Sequence, residues 1–192
     1  MRLFAALPLS PPAIERLTAL RLRWSRPGDG LRWSTPEQWH ITVQFFGELS
    51  VDQAARVAAE CAKAPLPATE IALEELGMFG AKGILYVLVR ASASLQQLHE
   101  QISRTAKHCG VASPSRPFRP HITLARAKGQ TGQRALQHLS TPALPPFGPA
   151  LRWNSGTCLL LQSTLWPQGA VYTVQARLAL AEPVSAAVPE TV

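Results

Sequence analysis

Acidic residues are absent from a long stretch in the second half of the chain. Residues 101–181 contain nine Lys and Arg and no Asp or Glu, whereas residues 1–100 contain ten residues of each sign. A stretch of this size without a carboxylate should project a positive potential that attracts phosphates, so we expect an anionic ligand. Arginine makes up fifteen of the 19 cations. Its planar guanidinium binds phosphate oxygens in pairs, although genome composition explains that ratio equally well.

Long apolar runs are also missing. The longest clean run, Ile84 to Val89, is far shorter than the roughly 18 residues of a membrane-spanning helix, which excludes such a helix. An apolar stretch near the start, Leu3 to Leu7, is interrupted by Pro8, Pro11 and Pro12 before it reaches the length of a secretory signal core. We therefore expect a cytoplasmic protein with no membrane partner.

The cysteines are too few and too scattered for a disulfide framework or a zinc site. Cys61, Cys109 and Cys158 are an odd number, lie far apart, and form no C-x-x-C motif. We predict reduced, mostly buried thiols.

Apolar periodicity and turn residues predict four helices and seven strands. The predicted helices cover 10–24, 50–64, 92–109 and 131–139. The predicted strands cover 1–7, 39–46, 69–76, 83–90, 121–127, 156–162 and 170–180. Their order is too irregular for a doubly wound parallel sheet, and no Gly-rich phosphate loop follows a strand. The prediction is an α+β fold with mainly antiparallel strands.

The length of 192 residues and the 46% hydrophobic content indicate one globular domain or two small lobes. We expect this folded unit to occupy residues 1–180, followed by a disordered tail over 181–192. Pro-rich loops are predicted at Ser113 to Pro120 and Thr141 to Pro149. Four tryptophans are expected in the core rather than as platforms for nucleobases: Trp33, Trp39, Trp153 and Trp166.

One short segment occurs twice. His40-Ile41-Thr42-Val43 and His121-Ile122-Thr123-Leu124 each stand at the head of a predicted strand. Alternate residues of a strand face the same side, so each copy presents an imidazole beside a hydroxyl. If the two strands lie around a pseudo-twofold axis, the four groups converge on one cleft.

Two histidines with an ordinary pKa near 6.5 can divide proton transfer, one neutral as base and one protonated as acid. This suits cleavage of a 2′,3′-cyclic phosphate, in which one imidazole activates water and the other protonates the departing ribose oxygen. The threonine hydroxyls would donate hydrogen bonds to the non-bridging oxygens. No metal or other cofactor is expected, because metal-dependent phosphodiesterases need carboxylate or clustered histidine ligands.

Each copy by itself is better explained as a strand histidine beside a threonine that favours β structure. The pairing of the two copies with a phosphate-attracting field makes them a candidate site. His99, His108 and His138 have no matching context, and we assign them to the surface or the core.

The two segments and their flanks resemble the two-histidine (2H) phosphoesterases, specifically the RNA 2′,3′-cyclic phosphodiesterases that are also named 2′-5′ RNA ligases. The resemblance covers the chain up to about Leu180. Its matching segments are Met1 to Ala5, Trp39 to Glu48, Pro117 to Arg126, Leu160 to Ser163 and Gly169 to Tyr172.

This resemblance implies a bilobal α+β fold with pseudo-twofold symmetry, in which helices flank two mainly antiparallel sheets and the active site lies in the groove between them. It implies that His40 is the general acid toward the 3′ oxygen and that His121 activates water. Thr42 and Thr123 would hold the phosphate.

The same resemblance implies that Arg126 binds phosphate and that Phe45 stacks on the nucleobase. Each residue comes five positions after its histidine. Strict strand alternation puts positions five apart on opposite faces, so both roles require a bulge or a twist in the strand.

The resulting hypothesis is a monomeric hydrolase that opens 2′,3′-cyclic phosphates on RNA ends or small nucleotides. The implied product is a terminal 2′-phosphate, and the reverse reaction would join RNA ends through a 2′-5′ linkage. Two alternatives remain open, a module that binds RNA ends without turnover and a phosphodiesterase for another cyclic or 2′-5′ phosphodiester. The presence of Thr42 and Thr123 argues against the binding module.

Overall fold

The computed structural model describes residues 1–112, 117–139, 151–166 and 169–182. Within these ranges the chain forms four α-helices, namely α1 (Pro11–Trp24), α2 (Val51–Lys63), α3 (Ala93–His108) and α4 (Gly129–Leu139). Its strands are β1 (Arg2–Leu7), β2 (Leu31–Trp33), β3 (Ile41–Glu48), β4 (Thr69–Phe79), β5 (Ile84–Val89), β6 (His121–Ala127), β7 (Arg152–Ser155), β8 (Thr157–Trp166) and β9 (Gly169–Ala179).

The strands form two antiparallel sheets. The first sheet has the order β3-β1-β8-β9, and the second has the order β2-β6-β5-β4-β7. Every pairing between named strands is antiparallel. The predicted α+β class with two mainly antiparallel sheets is therefore confirmed. The first sheet takes its strands from both ends of the chain, whereas the second is built mostly from the middle.

One hydrophobic core joins the inner faces of both sheets. It contains Leu3 and Ile41 from the first sheet and Ile71 and Leu85 from the second, all 1% exposed or less. A smaller apolar cluster around Phe4 lies on the other face of the first sheet. That second face borders the cleft described below.

Local sequence explains how α2 and α3 begin and which face each buries. The Ser50 and Ser92 hydroxyls each accept a hydrogen bond from the backbone N–H three residues later, which caps both helices. One face of α3 is fully buried and consists of Leu95, Leu98, Ile102 and Ala106. In α2 the residues Ala54, Val57 and Cys61 are buried, whereas Val51, the first residue of the helix, is 69% exposed.

The cysteines, one tryptophan and some strand bounds can also be compared with the predictions. All three cysteines are buried, and burial raises the pKa of Cys61 and Cys158 to about 12, which keeps both as neutral thiols. Trp166 is 58% exposed, so its expected core position is wrong. The short strands β2 and β7 were not expected, and β4 continues past Gly77 to Phe79.

Some expectations lie outside the described residues. These are the linker at 141–149, part of the loop at 113–120 and most of the tail at 181–192. No helix among the described residues has the length and apolar character needed to cross a membrane.

Candidate active site

The two motif histidines are held in the same way. His40 directly precedes β3, and His121 is the first residue of β6. The Nδ1 atom of His40 lies 2.9 Å from the carbonyl oxygen of Gln38, and Nδ1 of His121 lies 2.8 Å from that of Arg119. A carbonyl oxygen only accepts, so each Nδ1 carries a proton and donates it. The Nε2 atom of each neutral ring is then left with a free lone pair.

Aromatic side chains flank both imidazoles. The centroid of the His40 ring lies 4.9 Å from those of Phe4 and Tyr172. The His121 ring is edge-on to Phe79 and Tyr86, with centroids 5.4 Å and 5.5 Å away. These partners were not predicted. The chain has only two tyrosines, and each contacts one of the motif histidines. The scarcity of tyrosine was the one sequence feature that could have directed attention to these two residues.

The strand β3 contains the irregularity that the Phe45 assignment requires. Its pairing with β1 skips Phe46, between Phe45 and Gly47, and also skips Val43, which lies between Thr42 and Gln44 and therefore between the threonine and Phe45. The extra residue at Val43 shifts the alternation by one position, which brings Phe45 to the face that carries Thr42. Phe45 is 36% exposed there.

The strand β6 contains the same irregularity at the equivalent place. Its pairing with β5 skips Leu124, between Thr123 and Ala125. Arg126 is thereby turned to the face that carries Thr123. The two halves of the site thus share a histidine, a threonine two residues later, a bulge and a functional side chain at the fifth position.

The two sheets meet at this site. His121 and Arg126, both in β6 of the second sheet, are near enough to lower the pKa of His40, which directly precedes β3 of the first sheet. The guanidinium of Arg126 also acts on the hydroxyl of Tyr172, a residue of β9. His40, His121, Arg126 and Tyr172 therefore lie close together, in the region that we call the cleft. Thr42, Phe45 and His121 share the lining of the groove that opens there.

Additional guanidinium groups that sequence reasoning missed lie at this cleft. Arg32 is paired with Arg126 across β2 and β6, and the guanidinium carbon of Arg2 lies 5.1 Å from the ring centroid of Phe45. Burial raises the pKa of Tyr172, and the charges of Arg126, Arg2 and Arg32 oppose that rise. Three positive charges near one hydroxyl make the cleft a favourable place for a phosphate anion.

Burial holds both imidazoles in the neutral form in the absence of ligand. Desolvation is the main reason that the pKa of His40 is lowered to about 4; the hydrogen bond to Gln38 opposes this shift, and His121 and Arg126 add to it. Desolvation also lowers the pKa of His121, with a smaller contribution from Arg126. A neutral His121 is ready to accept a proton, whereas His40 has to gain one before it can act as an acid.

A groove of about 880 Å³ opens from the cleft beside Thr42 and His121 and runs to α3. His99 of α3 forms part of its wall, with Nδ1 2.8 Å from the carbonyl oxygen of Val43 and its ring stacked on Phe118 at 4.1 Å. His99 therefore holds the bulge of β3, a role that its sequence context did not reveal.

The basic stretch contributes to this groove only in part. Three of its cations, Arg104, Lys107 and Arg119, line the groove. By contrast, the guanidinium of Arg152 is paired with the carboxylate of Glu70 at 3.0 Å. The stretch without carboxylates is therefore not a uniformly positive surface.

The residues available as metal ligands are dispersed. Across the described ranges, no three His, Cys, Asp or Glu side chains come together as a set that could hold a metal ion. Independence from metals and other cofactors stays a prediction, tested below.

Comparison with known proteins identifies relatives of the whole chain. A family model described as the 2′-5′ RNA ligase superfamily matches residues 9–151. A protein of Aeropyrum pernix named RNA 2′,3′-cyclic phosphodiesterase is 30% identical over 130 residues, which are 66% of this chain and 74% of the relative. A protein of the same name from Archaeoglobus fulgidus is 25% identical over 90% of this chain and 96% of its own length.

Solved structures agree with this result. The protein TT0787 of Thermus thermophilus superposes with a TM-score of 0.74 at 26% identity and covers 94% of this chain and 98% of its own. Escherichia coli LigT complexed with 3′-AMP superposes with a TM-score of 0.78 at 23% identity over the same shares of the two chains. The second likeness shows a shared fold.

Proposed function

Because the chain belongs to the 2′-5′ RNA ligase superfamily, we propose that it is an RNA 2′,3′-cyclic phosphodiesterase, a hydrolase that opens a terminal cyclic phosphate to a 2′-phosphomonoester. Relatives of that name support the activity. The observation that carries the proposal is the pair of histidines on two different sheets, each with Nδ1 bound to a carbonyl oxygen and Nε2 left free.

The proposed reaction needs two proton transfers and one attack at phosphorus. Nε2 of His121 takes a proton from a water molecule, whose oxygen forms a bond to phosphorus. The bond between phosphorus and the 3′ oxygen breaks, and His40 protonates that oxygen. The products are a free 3′ hydroxyl and a 2′-phosphate. With the 5′ hydroxyl of a second RNA in place of water, the same attack at phosphorus and the same cleavage of the bond to the 3′ oxygen form a 2′-5′ linkage.

The substrate itself helps to protonate the acid. Without ligand the pKa of His40 is lowered to about 4, mainly by burial. A phosphodiester anion beside the ring favours the imidazolium form and raises that pKa. Binding and protonation of His40 are therefore coupled, and His40 becomes an acid chiefly in the complex.

Four further side chains assist. The hydroxyls of Thr42 and Thr123 donate hydrogen bonds to the non-bridging oxygens, where charge accumulates in the transition state. Arg126 contributes a bidentate phosphate contact, and the exposed ring of Phe45 stacks on the terminal base. The site needs no resident metal or other cofactor in this mechanism.

Three wider aspects belong to the same proposal. Residues 1–180 act as one bilobal domain, the protein works as a monomer in the cytoplasm, and its partners are RNA ends or small nucleotides that carry a 2′,3′-cyclic phosphate. Size-exclusion chromatography with light scattering tests the monomer.

A single assay tests the proposed activity. The protein is incubated with 2′,3′-cyclic AMP in EDTA, and the products are separated by chromatography against 2′-AMP and 3′-AMP standards. The expected product is 2′-AMP. Formation of 3′-AMP would reverse the roles given to the two ribose oxygens, and activity that appears only after a divalent metal is added would contradict the mechanism. Binding without turnover, both here and with an RNA that ends in a cyclic phosphate, would favour the binding module.

A further inference from the structure

Most of the residues that line the groove beside α3 have no role in the proposed reaction. It shares Thr42, Phe45 and His121 with the cleft, extends along α3 from His99 to Lys107, and is lined by neither His40 nor Arg126. Its volume of about 880 Å³ is near the upper end of the range for small-molecule sites, about 300–1,000 Å³. A cyclic mononucleotide at the histidines would occupy only one end of it.

One helical face supplies the far wall of the groove. His99, Ser103 and Lys107 are spaced four residues apart, and Glu100 and Arg104 follow the same spacing beside them. Residues three or four apart share a face of an α-helix, so these side chains form one stripe along α3. The stripe gives the groove a direction, from the cleft toward the C-terminal end of the helix.

Most of the charged side chains that line the groove are positive and have no ion-pair partner among the described residues. Exposed cations at Lys82, Arg104, Lys107 and Arg119 line it, against one carboxylate, Glu100. Within the part of the chain that the structure describes, none of these four cations forms an ion pair. A row of free cations of this kind favours a polyanion rather than a single phosphate.

Aromatic rings stand between the cleft and these cations. Phe45 is exposed at the near end, and Phe118 lies stacked on His99 at 4.1 Å in the adjoining wall. A groove that combines aromatic rings with free cations matches the chemistry of single-stranded nucleic acid, whose bases stack while its phosphates bind the cations.

From this juxtaposition we propose that the groove holds the RNA chain upstream of the terminal cyclic phosphate. This inference rests on the proposed function, because it places the cyclic end at His40 and His121. The chain can leave that nucleotide only through its 5′ oxygen, so the preceding phosphates lie over Arg104, Lys107, Lys82 and Arg119. The preferred substrate is then a single-stranded oligoribonucleotide, and a cyclic mononucleotide fills only part of the site.

The test compares two substrates in one set of proteins. The substrates are 2′,3′-cyclic AMP and a short single-stranded oligoribonucleotide that ends in adenosine 2′,3′-cyclic phosphate. The parent protein should have a higher kcat/KM for the oligoribonucleotide. In the double variant Arg104→Ala/Lys107→Ala, the ratio of the two kcat/KM values should fall by about tenfold or more, mostly through the KM for the oligoribonucleotide. The log–log salt slope for that substrate should decrease by about 0.7 per lost phosphate contact.

Two further variants sharpen the comparison. Glu100→Gln removes the one carboxylate of the groove and should shift the same ratio upward, a change of sign that a loss of folding would not produce. Arg56→Ala removes an exposed cation from α2, outside the groove, and should leave the ratio at the parent value.

The outcomes separate the two proposals. If the parent protein hydrolyses both substrates but the ratio is unchanged in Arg104→Ala/Lys107→Ala, the groove does not hold RNA and the proposed activity stands. An equal loss of kcat/KM on both substrates would also contradict the proposed RNA groove, because it would indicate that the two cations act only through a diffuse positive field. If the parent hydrolyses neither substrate, the proposed function itself is wrong.

Discussion

Gly77 of β4 and Tyr86 of β5 are cross-strand partners, and the ring of Tyr86 fills the space that a side chain at position 77 would need. A Cβ atom at Gly77 would lie 2.6 Å from Cζ and from the hydroxyl oxygen of Tyr86. That distance is well inside the optimal separation of about 3.5 Å or more for carbon atoms. The Tyr86 ring stacks on Phe79 at 4.3 Å and contacts the edge of His121. The missing side chain of Gly77 therefore fixes the aromatic surroundings of one catalytic candidate.

Gly77→Ala should displace the Tyr86 ring and disturb His121 while the fold persists. A misplacement of about 1 Å at a reacting group can lower turnover by as much as ~10²-fold. We expect a loss in that range for 2′,3′-cyclic AMP, measured as kcat beside the melting temperature. The matched control is Gly156→Ala, where an added Cβ meets no heavy atom within 4 Å. If Gly77→Ala has the same kcat as the parent protein, the position of the Tyr86 ring does not affect catalysis.

His40→Ala and His121→Ala should each remove most turnover, because a positioned acid or base contributes roughly 10²- to 10⁴-fold. The double variant should be scarcely slower than either single variant, since groups that act as one unit are not additive. Steady-state rates and circular dichroism spectra measure activity and folding together. His40→Gln is a companion variant that leaves less empty space between Phe4 and Tyr172. Full activity in either alanine variant would refute the two-histidine mechanism.

Thr42→Val and Thr123→Val keep the branched shape that suits a strand and delete only the hydroxyl. If these hydroxyls stabilise charge on the non-bridging oxygens, kcat should fall by roughly 10²-fold or more in each variant. The melting temperatures should stay close to that of the parent. Unchanged rates would reduce both threonines to residues that favour β structure.

Rates should depend on pH differently in the free protein and in the complex. The pKa of His40 is lowered to about 4 and that of His121 is also lowered, so both rings are neutral above pH 6.5 without ligand. Because kcat/KM reports the free protein, it should be greatest below pH 6.5 and fall as pH rises and the acid loses its proton. Bound phosphate raises the pKa of His40, so the alkaline limb of kcat should lie at higher pH.

Two measurements check this difference. Profiles of kcat and kcat/KM over pH 4 to 9 give the limbs, which belong to the coupled pair of histidines rather than to either ring alone. Histidine NMR spectra with and without 2′-AMP give the direct titration of His40, whose resonance is assigned from His40→Gln. The coupling of protonation to binding would be contradicted if the alkaline limbs of kcat and kcat/KM fall at the same pH. It would also be contradicted if 2′-AMP leaves the pKa of His40 unchanged.

Arg126→Ala should weaken substrate capture, because it deletes a phosphate contact that the bulge of β6 aims into the cleft. We expect KM to rise and the log–log salt slope of RNA binding to decrease by about 0.7. Arg126→Lys should restore only part of the affinity, since a point charge replaces a planar fork. Arg56→Ala, which removes the same charge from the exposed face of α2, is the control. If Arg126→Ala and Arg56→Ala lose equal affinity for RNA, Arg126 contributes only to a diffuse positive field and makes no specific phosphate contact.

Much of the site was accessible from the sequence because it is local. Residues His40 and Thr42 follow each other along one strand, and the pattern recurs at His121 and Thr123, so periodicity alone places each pair on one face. The fifth-position assignments of Phe45 and Arg126 required a bulge, and the strand registers contain one in each half.

The missing parts of the site are contacts between distant segments. Tyr172 reaches His40 through the pairings of β9 with β8, of β8 with β1 and of β1 with β3, and no local pattern encodes that series of pairings. His99 supports the bulge of β3 from a different element, α3. The three-residue strand β2, which brings Arg32 beside Arg126, is too short for alternation to be recognised.

The order of strands in the first sheet also has a consequence for synthesis on the ribosome. β1 and β3 emerge first, but β1 must wait for β8, with which Leu3 to Ala6 pair through residues 159–162. At typical elongation rates the delay between β3 and β8 is on the order of 10 s. During that interval one edge of β1 has no native partner strand, a condition that invites association between nascent chains. The N-terminal strand is therefore a segment that benefits from protection by a chaperone during translation, and the surroundings of His40 are completed only when β9 supplies Tyr172.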